Sequence, residues 1–259
     1  MDKKTRQRPV TEHNMTVVIP GDDPPQIGRT PALERLRERT EAVLYENRPV
    51  SHMFGLMLAV AKNTADQIIV LKNGRWTAVA NVMLQGKRLG IIGTSATGAH
   101  LARFADQFGM EVVAWSYPPG EARAKAIGVR YVPVHELLTT SAVISLHVRL
   151  SEQSRGLIGA AEIAEMRPGA IRLNGARGPA IDTPALVDAL HRGHLHGVGI
   201  EVFDEELLPP NAAIAACPRV VLTPQRAEQT PEAVSATNEG AVENLFAFLD
   251  GKPCCNAAN

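Results

Sequence analysis

An α/β fold built on a doubly wound parallel sheet is the architecture this chain predicts, and three observations predict it. Apolar runs at 89–92, 111–115, 142–146, 170–173, 198–202 and 220–222 lack the in-and-out alternation of half-exposed strands. Helical patterns at 98–108, 121–127, 160–166 and 183–192 fall between most of them. The first run ends in a glycine turn that opens directly into a helix, in KRLGIIGTSATGAH (87–100).

The elements follow in order. MDKKTRQR opens a basic, polar stretch with no apolar run behind it, so 1–14 is expected to be a disordered tail and not a signal peptide. Residues 15–20 (MTVVIP) read as a strand, 31–42 as a charged amphipathic helix and 42–45 as a second short strand. Residues 51–75 read as one long helical stretch, apolar at first and ending near Asn73-Gly74, where a C-cap fits. The alternating strands and helices begin at Lys87, and a last helix over 231–250 stops at Gly251-Lys-Pro.

Composition narrows the partners. The 259 residues, 45% hydrophobic, suffice for one sizeable core or two modest ones. Lys+Arg and Asp+Glu both number 27, which argues against a nucleic-acid or membrane-surface partner. The apolar stretch 53–61 is too short to span a bilayer. Cys217, Cys254 and Cys255 make no disulfide framework, so a reducing, cytoplasmic setting is expected. His191, His194 and His196 lie together at a helix end, where a polar cap outweighs a metal site.

The glycine turn is a Rossmann-type phosphate corner built on Gly93 and Gly98, with Ser95 where the middle glycine of G-x-G-x-x-G would stand. Gly93, Thr94, Ser95, Ala96, Thr97 and Gly98 are therefore the candidate cofactor residues. Ser95 puts a side chain where backbone would approach a pyrophosphate, although its hydroxyl can donate to a phosphate oxygen.

Further runs carry a resemblance. They are GMEVVAW (109–115), SLHVRLSEQSRGLIG (145–159), MRPGAIRLNGARGPAIDTPALVDALHRGHLHGVGIEVF (166–203) and RVVLTP (219–224). In this order and spacing the chain resembles the D-isomer-specific 2-hydroxyacid dehydrogenases over 51–224, and more loosely at 15–49 and in the tail. The resemblance implies two Rossmann-like domains with the site in the cleft between them, hydride transfer between NAD or NADP and a 2-hydroxy or 2-oxo acid, and a homodimer. It divides this chain into an NAD(P)-binding domain at 85–225 and a linking helix with a dimerisation arm at 51–84. A truncated substrate/catalytic domain is left at 15–50 and 226–259. Several tens of residues that the family carries before position 51 have no counterpart here.

Site residues follow from the matching positions. Arg177 of Asn174-Gly-Ala-Arg-Gly178 would clamp the substrate carboxylate and polarise the adjacent carbonyl, with Ala176 beside the cofactor. Glu206 stands where the family's glutamate raises a histidine pKa. That histidine is missing: Thr223-Pro224-Gln225-Arg226 has Gln225 at the acid/base position, and a carboxamide exchanges no proton near neutral pH. Glu201 replaces an aspartate expected near the nicotinamide carboxamide. Ser116 stands where an acidic residue would hold the ribose hydroxyls, and Arg123 and Lys125 downstream suit NADP. His147, at a strand end near the cleft, is a weaker stand-in for the lost acid.

Three readings remain at this level. One is an NAD(P)-dependent oxidoreductase of weakened or altered activity. Another is a catalytically silent homologue that senses a nucleotide or scaffolds a partner. The third is a lyase or isomerase that reuses the Arg177 pocket.

Overall fold

The computed structural model describes residues 50–117, 120–227 and 229–252. The strands and helix expected at 15–45, the tail at 1–14 and Cys254-Cys255 lie outside them. The described chain runs α1 (Val50–Ala61), α2 (Thr64–Lys72), β1 (Arg88–Ile92), α3 (Ala96–Gln107), β2 (Glu111–Trp115), α4 (Glu121–Ile127), β3 (Arg130–Tyr131) and α5 (Val134–Thr140). It continues with β4 (Val143–Leu146), α6 (Ala160–Glu165), β5 (Ala170–Asn174), α7 (Thr183–His191), β6 (Leu195–Ile200), β7 (Val220–Leu222) and α8 (Pro231–Leu249). Short 3-10 turns cover Gly178–Ala180 and Ala213–Ala216. Two compact units emerge, 48–227 and a second that includes 228–259; within the second, the described chain is α8 and the short turn after it.

The seven strands form one sheet in the order β3-β2-β1-β4-β5-β6-β7, and every pairing is parallel. This is the doubly wound Rossmann-type arrangement the apolar runs predict. Each central strand is buried on both sides, which explains the absent alternation. One face packs Met53, Leu56 and Val60 of α1 and Leu101 of α3 against Leu89, Ile91 and Leu173. The other packs Leu137, Ile163, Leu186 and Leu190 of α5, α6 and α7 against Ile92, Ile144 and Val198. Burial of each such side chain contributes about 1.5–3 kcal/mol.

Four differences from the sequence reading have physical causes. The single helix expected at 51–75 breaks at Asn63, whose backbone is left-handed (φ 49°), and the two pieces meet at 61°. Asparagine tolerates that conformation, and the Asn63 amide donates to the Ala80 carbonyl (3.0 Å) and to Asn81 Oδ1 (3.2 Å), which pins the bend to the following arm. The strand expected at 198–202 starts earlier, at Leu195. Histidines and glycine hide it in the hydropathy, and its register against β5 shifts between Ala170 and Ile171. β3 escapes a periodicity reading because it spans two residues, and α5 because only Leu137 and Leu138 of its seven residues are buried, too few to set a helical spacing. The histidines at 191–196 diverge: His191 meets Cys217 Sγ (3.6 Å), and His194 meets the Ile163 carbonyl (3.1 Å). His196 instead contacts the Val60 backbone. Among the described residues no single helix is long and apolar enough to cross a membrane.

Candidate active site

The glycine corner forms as a strand, turn and helix. β1 ends at Ile92, Gly93 turns the chain with φ 93°, and α3 starts at Ala96. A Cβ on Gly93 would lie 2.8 Å from the His147 carbonyl, and one on Gly98 would lie 2.6 Å from the Gly93 oxygen. Only glycine lets the helix come this close to the turn, so the first helical amides, at Ala96 and Thr97, stand over it with no carbonyl inside the helix to reach. That is the geometry that receives a phosphate.

Ser95 has a structural role beside the one expected of it, and its hydroxyl proton stays available to a phosphate oxygen. Its Oγ accepts from the Gly98 amide (3.4 Å), so it serves as the N-cap of α3. Thr94 is buried and shares a hydrogen bond with the Tyr131 hydroxyl (2.8 Å). Arg123 of α4 donates through Nε (2.7 Å) and Nη2 to the Thr94 carbonyl, which holds its guanidinium beside the turn. A cavity of about 690 Å³ opens at this corner, lined by Gly93, Ser95, Ser116, Arg123 and His147 among others. The close backbone approach, the capped helix and the size of the cleft fit a nicotinamide dinucleotide. Ser116 lines the cavity at the end of β2 and places no carboxylate against a ribose phosphate.

A second group gathers at the carboxyl ends of β5, β6 and β7, where parallel sheets present ligand contacts. Asn174 ends β5 and stitches the loop after it: its Oδ1 accepts from the Ala176 amide (3.1 Å) and its Nδ2 donates to the Arg177 carbonyl (3.1 Å). Arg177 itself is exposed, with extended backbone, and its Nη1 donates to the Ala176 carbonyl (2.7 Å). Glu201, just past β6, is buried, with Oε1 accepting from the Ala227 amide (2.5 Å). Gln225 has φ 48°, and its backbone amide donates to the Glu201 carbonyl (3.1 Å).

The Gln225 side chain meets Glu206. With its NH2 turned to the carboxylate it donates to both oxygens, Oε1 at 3.1 Å, while Oε1 also accepts from the Phe203 amide (3.2 Å). Glu206, left without an imidazole by the sequence, thus holds an amide. The His–Glu pairing expected of a dehydrogenase survives in outline with a partner that cannot titrate.

His147 makes no substitute. Its Nε2 hydrogen-bonds Ser145 Oγ (2.8 Å) in the buried sheet. Burial first, and the charge of Arg172 second, push its pKa down to about 3, so it carries no proton near neutral pH. Arg172, on β5, is itself buried, with Nη1 donating to the Ile144 carbonyl (3.2 Å) and to that of Leu173. Burial pulls its pKa down to about 9. Sequence reading missed one residue here: His52, in the first turn of α1, reaches this same edge of the sheet. Its only signal would have been the fold itself, since its partners lie far along the chain.

Comparison with known proteins agrees with this geometry. Residues 54–227 match the D-isomer specific 2-hydroxyacid dehydrogenase, NAD binding domain. A glyoxylate reductase of Korarchaeum cryptofilum is 34% identical over 212 residues, which are 80% of this chain and 64% of the relative. A D-3-phosphoglycerate dehydrogenase of Methanocaldococcus jannaschii is 35% identical over 209 residues, 79% of this chain and 40% of the relative. The crystal structure of a glyoxylate reductase from Paecilomyes thermophila superposes with a TM-score of 0.75 at 28% identity, covering 85% of this chain and 69% of that one. This chain therefore spans less than two thirds of the length of the curated relatives it matches. With a match that spans the glycine corner, the parallel sheet and the Arg177 loop, the chain belongs to the D-isomer specific 2-hydroxyacid dehydrogenase family.

Proposed function

We propose that the chain is an NAD(P)-dependent oxidoreductase that interconverts a small 2-oxo acid and its 2-hydroxy acid. The observation that carries this reading is the Gly93–Gly98 corner, where α3 approaches the turn closely and Gly93, Thr94 and Ser95, at its N-terminus, line a cleft of dinucleotide size. When bound, a nicotinamide supplies or accepts the hydride. The chain's residues do the rest. The Ala96 and Thr97 amides at the start of α3 would hold the pyrophosphate, and the exposed Arg177 would grip the acid's carboxylate and draw charge toward the adjacent carbonyl oxygen.

Ser116 and Arg123 favour a cofactor with a 2′-phosphate. No carboxylate stands at Ser116 to repel it, and Arg123 is held at the same cavity by Thr94. The family relatives named as glyoxylate reductases suggest a short substrate such as glyoxylate. A homodimer built on the 51–84 arm completes the reading.

The Gln225–Glu206 pair favours one competing reading, a nucleotide-binding homologue without turnover. Titration of the purified chain with NADH and NADPH by fluorescence, followed by a screen of 2-oxo acids, separates the two. The oxidoreductase reading expects saturable binding, tighter for NADPH, and acid-dependent loss of the reduced cofactor. Binding with no consumption of any acid leaves the silent homologue; no binding of either cofactor refutes both.

A further inference from the structure

The proton is the gap in the reading above, because Gln225 carries none and His147 is held neutral. A different imidazole closes it. His52 sits in the first turn of α1, which packs along β5, β6 and β7 and brings that turn to Glu201 and Thr223 just past the ends of β6 and β7. Its Nε2 lies 2.9 Å from Thr223 Oγ1 and 3.3 Å from Glu201 Oε2. Thr223 stands two residues before Gln225, and the Gln225 amide is bonded to the Glu201 carbonyl. His52, Glu201 and Gln225 are thus tied to one short backbone frame.

Burial is divided within the pair. The His52 side chain is 25% exposed and that of Glu201 is 3% exposed. A reachable imidazole with a shielded carboxylate behind it is the arrangement of a general acid. The geometry points to His52, backed by Glu201, as the group that donates the proton when a 2-oxo acid is reduced at this site. This inference rests on the oxidoreductase reading.

The chemistry balances. The carbonyl carbon gains a hydride, two electrons and a hydrogen nucleus, from NAD(P)H, and the carbonyl oxygen gains one proton from the His52 imidazolium. The products are the hydroxy acid, NAD(P)+ and a neutral imidazole, which water reprotonates. Two influences act on His52. Burial lowers its pKa from the ordinary value, which makes the imidazolium a stronger acid and leaves less of it protonated as the pH rises through neutrality. Glu201, facing it from the end of β6, attracts the imidazolium until that loss. The end of β7 faces it with Thr223, a neutral hydroxyl.

The alternative is that His52 merely fastens Glu201 and Thr223 in place, and the test separates the two. His52→Gln keeps a donor within reach of both oxygens and removes the titration; His52→Asn is the second variant. Each full-length variant is compared with the parent by thermal melting, NADPH fluorescence titration, glyoxylate reduction across pH, and NMR titration of the imidazoles with NADPH and the unreactive acid oxamate. The proposal expects variants that melt and bind NADPH like the parent, with kcat for glyoxylate down by about 10²–10⁴-fold. It expects the parent's loss of kcat at high pH to vanish in the variants. It also expects one imidazole signal, absent from both variants, whose titration moves upward with oxamate.

Glyoxylate reduction within threefold of the parent, with the same pH profile, overturns the proton role and leaves the oxidoreductase reading standing. NADPH binding without turnover in the parent, with a His52 titration that oxamate leaves in place, overturns both.

Discussion

At the scale of single residues, Arg172 is the side chain the sequence prepares a reader for least. It interrupts an apolar run and lies in the sheet interior, and its Nε and Nη2 have no hydrogen-bond partner there. A buried cation so poorly matched costs several kcal/mol of desolvation. Its charge also helps hold His147 neutral. His147 therefore has a folded pKa near 3 against an ordinary value of 6.5. A base with a lowered folded pKa stabilises fully above pH 6.5 and loses that contribution as the pH falls toward 3. Arg172→Met should raise stability by about 1–4 kcal/mol at pH 7, read from urea melts. The same variant should lose less stability than the parent between pH 6.5 and 4, since His147 then takes a proton more readily. A lower urea midpoint at pH 7 would show that the guanidinium contributes more through the Ile144 and Leu173 carbonyls than it costs.

At the scale of elements, the strand–turn–helix corner was the most legible part of the chain, because apolar runs, a turn glycine and helical spacing all report the same local structure. The start of the strand at 195–200 was missed, since His196 and Gly197 break the apolar run between Leu195 and Val198. The break at Asn63 was not legible, because its cause is a side chain bonding to residues 17 and 18 positions away. The site divides in the same way. Gln225 and Glu206 were named from local motifs, whereas the contact between His52 and Thr223 spans 171 positions and exists only once the sheet is assembled. The corner offers a direct test. A Cβ at Gly98 would sit 2.6 Å from a backbone oxygen that cannot rotate away. Gly98→Ala should therefore push α3 off the turn, costing about 1–3 kcal/mol of stability and at least about tenfold in NADPH affinity. Unchanged affinity in a fluorescence titration would mean that the helix N-terminus is not the phosphate site.

At the scale of the whole molecule, what stands out is apolar surface left in solvent. Ile68, Ile69 and Leu71 of α2 are about half exposed, Trp76 is 91% exposed and Met83 is 65% exposed, all on or after the bend at Asn63. Soluble proteins rarely leave so many large apolar side chains together unless another surface covers them. The preceding helix, α1, buries Met53, Met57 and Val60 in its own core, so the exposure begins where the chain turns away from the sheet. A second copy of the same arm is the simplest cover, because a two-fold contact joins identical patches. A specific interface of this kind buries roughly 1,200–2,000 Å², and a tryptophan near its centre contributes about 2 kcal/mol or more. Trp76→Asp should then weaken self-association by at least about 30-fold and shift the light-scattering mass from dimer toward monomer at micromolar concentration. Because Trp76 lies outside the residues lining the nucleotide cavity, NADPH affinity of the variant should stay close to that of the parent. A parent chain that is already monomeric at high concentration, or a variant that dimerises as strongly as the parent, would remove the arm from the interface and leave its apolar side chains to another partner.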